Sequence, residues 1–491
     1  MAKTKTSAAD VGRVDRGIGQ QSRTVAVIGG GVSGLAAAYY IRKLAAARNL
    51  DVRVLVFEKE KRAGGKVRTH RRGGFVIEAG PDSVMTANSN LMELCAELGL
   101  TDRMIGQRAG NQGVYIFSRG ALEKLPEGSG AMLPTRVMPM LTTGLISFPG
   151  KIRASAEILL PKSTVHGEES VAAFVTRRFG REIYERIAEP LCAVIYAVDP
   201  EKASLKRTLP YLARMEVERS SILRASLAMR KRPGNASMPT SVSFEGGMAE
   251  LVDALAGKVG KRNISLGVEI GSISRPGGRM AGKYLVNPLH GHALAADAVV
   301  MAVPAYEVGR ITAGMDGQLA ATASEIPYST LAIITLAYDS DRVSDHIAGT
   351  GFLVPRVEGR KVSAVTVSSN KWPKRAPKGH SLIRCYFNDS YTGLHVSSTD
   401  ARLVEMAKEE LRDIAGIDEE PAFSHVQRWE KGMPIYTVGS GEKVSAIEEM
   451  TRTHPGLFVT GAWKRGIGIP SCISESLNSA MQVIEYFGKA K

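Results

Sequence analysis

The chain has 491 residues, more than one compact core usually holds, so we expect two or three domains. Apolar residues make up 44% of the chain and charged residues 23%, a balance that excludes a disordered or fibrous protein. The net charge of +15 favours anionic partners. Nucleic acid is not expected, because the sequence lacks zinc-finger spacing, an RNP-like segment and basic blocks interleaved with aromatics.

The first 23 residues lack the apolar core of a secretory signal, and we expect a disordered tail. A transit peptide is the alternative, although Asp10 and Asp15 count against it. The four cysteines show no CxxC spacing, which indicates reduced, mostly buried thiols. No stretch reaches the roughly 18 apolar residues of a membrane-spanning helix. We therefore expect a cytoplasmic protein, either soluble or peripheral on the inner face of the cell membrane.

A strand–helix–strand pattern opens the predicted fold. Residues 25–28 are an apolar run that stops at Gly29, as a buried parallel strand entering a tight turn does. An Ala-rich helix is predicted at residues 33–44 and a second buried strand at residues 52–57. This order predicts an α/β fold class with a Rossmann-like domain built on a parallel, doubly wound sheet.

The first turn of this unit has the G-x-G-x-x-G spacing of dinucleotide-binding proteins. Gly29 permits the tight turn, Gly31 lets a pyrophosphate approach the backbone, and Gly34 lets helix and strand pack closely. Glu58, at the end of the second strand, can accept hydrogen bonds from the ribose hydroxyls of an adenosine. An unrelated glycine-rich turn is the alternative. The predicted cofactor-binding residues are Gly29, Gly30, Gly31, Val32, Ser33, Gly34, Glu58 and Lys59.

Two further glycine-containing segments follow Glu58. The first is RAGGK at residues 62–66, and the second is EAGPDS at residues 78–83. An NAD dehydrogenase has no use for either, whereas backbone N–H groups of paired glycines can reach a second part of a longer dinucleotide. The predicted cofactor-binding residues in these segments are Gly65, Lys66, Gly80, Pro81, Asp82 and Ser83.

In this order of motifs the sequence resembles the amine oxidase and desaturase superfamily of FAD proteins. The resemblance rests on the GxGxxG turn, Glu58, the segment at residues 62–66, and Glu78 with Gly80. It implies that the cofactor is FAD, bound non-covalently, rather than NAD. It also implies cofactor contacts at Val268 and Trp429.

The rest of the chain divides into a helical part and a part rich in strands. Apolar spacing is mostly helical over residues 89–229, and residues 230–241 have the composition of a surface loop. Strands are predicted at residues 298–303, 331–338 and 381–387, the last two in an antiparallel sheet. The predicted divisions are a tail (1–23), FAD-binding segments (24–88, 230–305 and 425–491), a helical insertion facing substrate or membrane (89–229) and an antiparallel substrate-binding sheet (306–424).

Near the C-terminus, a predicted strand at residues 457–460 runs into Gly461, and the turn at residues 466–470 precedes a helix at residues 472–487. A helix N-terminus pointed at the pyrimidine edge of a flavin would stabilise the negative charge of the reduced ring. A plain strand and helix is the alternative. The predicted cofactor-binding residues are Gly461, Ile467, Gly468 and Ile469.

From about Thr24 onward the sequence also resembles the oxygen-dependent porphyrinogen oxidases of haem biosynthesis. Residues 369–373 (SNKWP) are most similar to the Gram-positive type, which acts on coproporphyrinogen III. The other motifs that carry the resemblance are short but occur in order: GPDS at 80–83, EPL at 189–191, IYA at 195–197, SFEGGM at 243–248, GFLV at 351–354, RW at 428–429, MPIY at 433–436 and GIGIP at 466–470.

This resemblance implies that six electrons leave a porphyrinogen in three flavin-mediated steps, and that molecular oxygen reoxidises the flavin and yields hydrogen peroxide. Coproporphyrinogen III is the favoured substrate and protoporphyrinogen IX the alternative. No catalytic acid or base is predicted, because hydride passes to flavin N5 and the cofactor performs the difficult step. No metal is predicted, because the histidines show no ligand spacing beyond His290-Gly-His292 in a polar turn.

The family packs its substrate between the flavin and an apolar wall. By resemblance, Phe352 and Leu353 form this wall, with ordinary core packing as the alternative for Phe352. Basic groups are implied to reach the propionates. The turn that faces the wall consists of Val194, Ile195, Tyr196, Ala197 and Val198.

This site departs from the family at three positions. Glycines are expected at Val194 and Val198, where valine would be strained if the backbone needed a positive φ and would otherwise narrow the pocket. At Val114, many protoporphyrinogen-specific members carry an arginine thought to hold a propionate. Its absence favours coproporphyrinogen, which has four propionates that other basic side chains can anchor.

Other functions remain open from the residues alone. A flavin amine oxidase would need an aromatic pair beside the flavin, but near the C-terminus only Trp463 is present, followed by two cations. A carotenoid desaturase shares the fold and cofactor, and a binding protein could keep the dinucleotide fold without redox use. Residues 131–148 could lie on a bilayer or in a core. The oligomeric state is not predicted.

Overall fold

The computed structural model describes residues 22–109, 113–126, 137–163, 167–229, 241–389 and 396–489. Residues 1–21 of the expected tail, 230–240 of the expected loop and 131–136 of the apolar segment lie outside this part. The strands are β1 (Arg23–Ile28), β2 (Val52–Glu58), β3 (Thr69–Arg72), β4 (Phe75–Glu78), β5 (Val84–Met85), β6 (Met104–Gly106), β7 (Tyr115–Ser118), β8 (Ala121–Lys124), β9 (Ser241–Phe244), β10 (Ile264–Leu266), β11 (Ile270–Ser274), β12 (Tyr284–Pro288), β13 (Leu294–Ala296), β14 (Ala298–Met301), β15 (Tyr328–Tyr338), β16 (Gly351–Leu353), β17 (Ala364–Val367), β18 (Ser381–Asn388), β19 (Phe423–Pro434) and β20 (Leu457–Val459).

The helices alternate with these strands along the chain. They are α1 (Val32–Ala47), α2 (Ser89–Glu97), α3 (Val137–Thr142), α4 (Phe148–Ser155), α5 (Val171–Phe179), α6 (Arg181–Ile183), α7 (Glu189–Tyr196), α8 (Leu205–Thr208), α9 (Pro210–Arg219), α10 (Ile222–Met229), α11 (Ala249–Val259), α12 (Ala305–Thr312), α13 (Gly317–Ser324), α14 (Ser368–Lys371), α15 (Asp400–Ala415), α16 (Ser440–Arg452), α17 (Ala462–Arg465) and α18 (Ile469–Lys489).

A five-stranded parallel sheet with the order β10-β2-β1-β14-β20 forms the first half of the molecule. Its strands come from three separate stretches of chain. In β1, Val25 and Val27 pack on one side with α1 and α18, whereas Ala26 and Ile28 pack on the other with β11, β12 and α12. Continuous apolar strands are buried on both faces because helices or strands cover each side. The α/β fold class with a Rossmann-like sheet is therefore confirmed.

A seven-stranded sheet with the order β19-β15-β18-β17-β16-β7-β8 forms the second half, and every pair except β16 with β7 is antiparallel. Two expectations differ from the structure. Residues 115–124 lie in this sheet although a helical insertion was expected there, because strands of four residues carry too little periodicity to be recognised. The boundary expected at residues 424–425 falls inside β19, since one long strand crosses it.

The helical part begins later than the sequence suggested. Leu91, Leu94 and Cys95 of α2 belong to the core under the parallel sheet, so the separate helical cluster is built from α3 to α10. Inside it, Arg178 and Glu157 form an ion pair whose side chains are both 0% exposed. The four cysteines are buried free thiols, as expected.

Candidate flavin and substrate site

The glycine turn lies between β1 and α1, at the carboxyl edge of the parallel sheet. Gly29 has a φ of 105°, and a Cβ atom there would lie 2.5 Å from the Ala302 carbonyl oxygen. A Cβ atom at Gly34 would lie 1.8 Å from the Gly29 oxygen. At Gly31, by contrast, the nearest protein atom would be 3.8 Å away, so protein packing does not require glycine there. The open space before Gly31 fits the close approach of a pyrophosphate.

The N-terminus of α1 faces the same space. Its N-cap residue is Gly31, no side chain caps it, and its first turn contains no acidic residue. Backbone N–H groups and the helix dipole therefore favour an anion at this end. Helix α18 also has no acidic residue in its first turn, and the Ser476 hydroxyl donates to the Ser33 carbonyl over 2.8 Å. The first turn of α1, which contains Val32 and Ser33, is thus in contact with α18.

Glu58 lies beside the glycine turn and is buried. Its carboxylate accepts N–H bonds from Gly30 at 2.7 Å and from Glu60 at 2.8 Å. The Val268 N–H donates to the Glu58 carbonyl over 2.9 Å, which places the start of β11 next to it. Lys59 points outward to Glu307. Each carboxylate oxygen keeps a lone pair that a ribose hydroxyl can use.

The RAGGK segment folds back onto the glycine turn. The Gly64 N–H donates to the Gly30 carbonyl over 2.8 Å, and Gly31 pairs with Gly64 in an isolated bridge. The Arg62 guanidinium bonds to the carbonyls of Ala63 and Gly65 and so holds the turn closed. Two glycine turns consequently form one cradle, as their order along the chain suggested.

Lys66 lies at the inner side of this cradle. It keeps accessible surface although protein atoms surround it, as expected for a side chain lining a cleft. This environment lowers the pKa of Lys66 to about 8, chiefly through burial, with a smaller contribution from Lys59. A bound diphosphate would restore the charged form of the amine.

The segment at residues 80–83 crosses from the cradle to the large sheet. A Cβ atom at Gly80 would lie 2.0 Å from the Lys66 carbonyl oxygen, so the two segments are in backbone contact. The indole of Trp429 donates to the Ala79 carbonyl over 2.7 Å. Pro81 is partly exposed here, and the Ser83 hydroxyl bonds to Asp82 at 3.0 Å.

The Asp82 carboxylate is bound by side chains of the large sheet rather than left open to a ligand. Lys371 contacts its two oxygens at 2.9 and 3.2 Å, and the Trp372 indole donates to it over 3.2 Å. The charges of Lys371 and Arg384 overcome burial and lower the pKa of Asp82 well below its usual range. Sequence analysis missed Arg384, although a charged residue inside the apolar strand SLIRCYFN is a detectable signal.

The C-terminal turn completes the cradle. Gly461 has a φ of 131° and leads into α17, and residues 466–468 join α17 to α18, where Ile469 is buried. The Cys472 N–H donates to the Gly468 carbonyl over 3.0 Å, so Ile467 and Gly468 lie in the first turn before the helix. The Trp463 indole is buried and donates to the Val303 carbonyl at 3.1 Å, which leaves it unavailable for an aromatic cage around an amine.

These features fit FAD. Gly29 to Gly34, Glu58 and Val268 can hold the adenosine diphosphate half, and Lys66, Gly80 and the start of α18 surround the space that continues from it. A group as long as a dinucleotide needs the second turn and the C-terminal helix start, which a shorter cofactor would leave unused.

The expected substrate turn follows α7. Val194 is helical, and Ala197 adopts the left-handed conformation with a φ of 48°. Neither Val194 nor Val198 has a positive φ, so the strain considered for these valines does not arise. Val198 is buried in the helical cluster, whereas Ile195 is 47% exposed and Tyr196 bonds to the Thr208 carbonyl. Of the two valines, only Val194 can narrow a pocket.

The two residues expected to form the wall lie on opposite faces of the large sheet. Leu353, Ala364 and Tyr386 are cross-strand neighbours on the face that packs against the helical cluster. Phe352 points to the other face, is 1% exposed and packs in the core under α15. The expectation for Phe352 is therefore wrong, because alternation along a strand sends adjacent side chains to opposite faces. Tyr386 takes its place on the face with Leu353.

Two kinds of feature are absent from the described ranges. Within them, no group of three or more histidine, cysteine, aspartate or glutamate side chains is arranged to hold a metal. No helix in the same ranges is both long and apolar enough to cross a bilayer.

Comparison with known proteins agrees with this geometry. The family profile of flavin containing amine oxidoreductases matches residues 32–484. The coproporphyrinogen III oxidase of Bacillus subtilis is 30% identical over 94% of this chain and 98% of its own length. The chloroplastic protoporphyrinogen oxidase of Oryza sativa is 28% identical over 94% of this chain and 88% of its own length. The chain belongs to the flavin containing amine oxidoreductase family, and FAD is its cofactor.

Within that family, the similarity is to porphyrinogen oxidases. The crystal structure of an Exiguobacterium sp. 255-15 protein, described as a candidate protoporphyrinogen oxidase, superimposes with a TM-score of 0.83 and 26% identity over 96% of this chain and all of the other. A putrescine oxidase with 16% identity superimposes with a TM-score of 0.68, which reflects the shared fold alone. The chain is thus a flavin-dependent oxidoreductase of the porphyrinogen oxidase type.

Proposed function

We propose that this protein oxidises a porphyrinogen to a porphyrin with FAD, with coproporphyrinogen III preferred and protoporphyrinogen IX second. The observation that carries the proposal is the apolar row of Leu353, Ala364 and Tyr386. This row adjoins residues 80–83 of the candidate FAD cradle. In β18, Arg384 donates to the Gly80 carbonyl at 2.7 Å, and Tyr386 lies two residues further along the same face. A flat macrocycle on this row would lie beside the flavin.

The protein's own contribution to this reaction is binding and orientation. Bound FAD supplies a hydride acceptor, and molecular oxygen is the proposed final acceptor. The site needs no side-chain base, because each of the three hydrides is accompanied by one proton that can leave to water. Two of these protons come from pyrrole nitrogens and the third from the remaining meso carbon by way of a ring nitrogen. The apolar row on β16, β17 and β18 would hold the macrocycle together with Ile195. The helical cluster would exclude solvent from the face of the macrocycle.

Two features support coproporphyrinogen over protoporphyrinogen. Val114 offers no charge for a propionate, and it packs against the helical cluster as a partly buried apolar side chain. The protein carries a net charge of +15, which attracts a substrate with four carboxylates more strongly than one with two.

The test supplies purified FAD-loaded protein with each porphyrinogen in separate aerobic assays and follows porphyrin fluorescence and peroxide. We expect both products, with the larger kcat/KM for coproporphyrinogen III. A larger value for protoporphyrinogen IX would overturn the preference, and no porphyrin from either would overturn the function.

We further propose that this protein contacts a membrane surface through α4 and the turn after it. Phe148, Ile152 and Leu159 are 75%, 58% and 78% exposed, and Lys151 and Lys162 lie close to them in sequence. Apolar side chains flanked by cations suit an interface with anionic lipid headgroups. The proposed contact therefore lies C-terminal to most of residues 131–148.

Sedimentation with phosphatidylglycerol vesicles tests this contact. The double variant Phe148→Ser/Ile152→Ser should sediment several-fold less than the native protein. Val217→Ser is the matched control, because Val217 on α9 is 73% exposed and lies in another helix. Equal sedimentation of all three proteins would contradict a contact through α4.

A further inference from the structure

A group of charged side chains lies between residues 80–83 of the FAD cradle and the seven-stranded sheet, and it has more cations than carboxylates. Asp82 is contacted by Lys371 at 2.9 Å and by Arg384 at 3.7 Å. The Trp372 indole and the Ser83 hydroxyl also donate to it. Arg375 contacts Glu78 at 3.7 Å in the same group, and Arg384 also interacts with Glu78. Three cations therefore face two carboxylates, which leaves one positive charge in excess.

Arg384 has unused hydrogen-bonding capacity. Its side chain is 1% exposed, and it donates to the Gly80 carbonyl at 2.7 Å. The Nε–H has no hydrogen-bond partner among the described residues. This N–H is closed to solvent, so Arg384 adds its positive charge to the group without offering that donor to a ligand.

Lys371 is the more accessible of the two cations. Its side chain is 19% exposed, against 14% for Asp82 and 1% for Arg384. Its ammonium carries three donors, of which the Asp82 oxygens can take two. One N–H is therefore available to an incoming acceptor.

The group lies at the junction of the two parts of the candidate site. Asp82 follows the Gly80 backbone that contacts Lys66, and Arg384 lies 5.1 Å from the ring of Tyr386. Tyr386 keeps accessible surface although protein encloses it, and it packs against the helical cluster. A ligand on the apolar row would reach the charged group with its periphery.

We infer that Lys371, held in place by Asp82 and reinforced by the buried charge of Arg384, forms an anchor for a carboxylate of the substrate. The inference rests on the proposed function and deepens it, since it assigns the basic residue that receives a propionate. It also explains how the site can bind a polycarboxylate without an arginine at position 114. Asp82 is a positioning residue that fixes both cations on the same side of the row.

Binding of coproporphyrin III to the oxidised, FAD-loaded protein tests the anchor without turnover. Lys371→Met should weaken this binding about tenfold or more, as expected for one charge-assisted hydrogen bond. Lys371→Arg should stay within a few-fold of the native protein. The uncharged tetramethyl ester of coproporphyrin III should bind the native protein and Lys371→Met equally, because it offers no carboxylate.

Lys361→Met is the matched control, because Lys361 makes a 3.0 Å ion pair with Glu409 of α15, a helix that packs on the face of the sheet opposite the apolar row. It should bind both porphyrins as the native protein does. The anchor is overturned if Lys371→Met binds coproporphyrin III normally, or if it loses the ester to the same extent. FAD content and the melting temperature of each variant identify a folding defect. Native protein that neither binds a porphyrin nor oxidises a porphyrinogen would overturn the proposed function as well.

Discussion

The glycines of the GxGxxG turn are needed for different physical reasons, although they belong to one motif. Gly34 is required by the protein, because a side chain there meets the Gly29 carbonyl, whereas Gly31 has room for one. The motif was recognised from sequence, but only the structure separates these two roles. Glycine spacing shows where a side chain is missing, but it does not show whether protein or a ligand fills that space.

This difference gives a paired prediction. Gly31→Ala should fold with a near-native melting temperature but bind FAD at least about tenfold more weakly, since a methyl group enters the pyrophosphate space. Gly34→Ala should lose at least about 2 kcal/mol of unfolding free energy, because helix and strand must separate. Thermal unfolding of the FAD-free proteins and FAD titration measure the two effects. Equal loss of stability in both variants would contradict the assignment.

Lys66 predicts how FAD affinity depends on pH. Its pKa is lowered to about 8 in the free protein, and a bound diphosphate raises it, so the complex binds a proton more tightly. The FAD affinity should have its highest value below pH 8. It should fall as the pH rises from about 8, the Lys66 pKa of the free protein, to the higher Lys66 pKa of the complex. Quenching of flavin fluorescence measures this profile.

Lys66→Arg provides the control for that profile, because arginine stays protonated across this range. Its FAD affinity should not fall between pH 8 and about 10. A native protein whose affinity is the same throughout this range would show that Lys66 does not contact the diphosphate.

At the scale of elements, alternation along strands decided which side chains reach the site. Resemblance singled out residues 351–354, which carry Phe352 and Leu353, but did not establish that they form a strand or which face of it is covered. Phe352 was therefore placed at the wall. Tyr386 was not selected, because its strand has apolar residues on both faces and the partner layers come from distant parts of the chain. Strand existence is a local property, whereas the choice of face depends on tertiary packing.

A buried ion pair between Arg178 and Glu157 connects elements of the helical cluster. Glu157 accepts from Arg178 and from the backbone N–H groups of Ile222 and Leu223 at 2.9 and 3.1 Å, and so joins the turn after α4 to α5 and α10. Arg178→Met should lose about 3 to 5 kcal/mol of unfolding free energy, because the carboxylate stays buried without its partner.

Denaturant unfolding measures this loss. Arg181→Met is the control, since Arg181 pairs with Glu185 on the surface and its removal should leave the midpoint unchanged within error. A small effect of Arg178→Met would mean that the cluster does not depend on this pair.

At the scale of the whole molecule, three stretches of chain build one parallel sheet, and the cradle takes residues from each of them. The sequence anticipated this interleaving, because strand and glycine motifs recur near both ends. It did not anticipate that residues 115–124 leave the helical part to join the large sheet, since short edge strands carry weak signals. Contacts such as Asp82 with Lys371 join residues 289 positions apart, and no local pattern encodes them.

FAD should therefore stabilise the molecule as a unit. At a concentration a hundredfold above its Kd, FAD should add about 2.7 kcal/mol to the unfolding free energy and raise the melting temperature of the FAD-free protein. FMN should stabilise less, since it lacks the adenylate half that Glu58 and Val268 adjoin. Equal stabilisation by both would contradict the placement of the adenosine.

The central claim is that a porphyrinogen reduces the flavin in this site. The most direct measurement mixes FAD-loaded protein with coproporphyrinogen III under anaerobic conditions and follows the visible absorbance of the flavin. We predict that the flavin bleaches, that porphyrin forms only in proportion to the flavin available, and that admitting oxygen restores the oxidised spectrum with release of hydrogen peroxide. A flavin that stays oxidised with both coproporphyrinogen III and protoporphyrinogen IX would contradict the account.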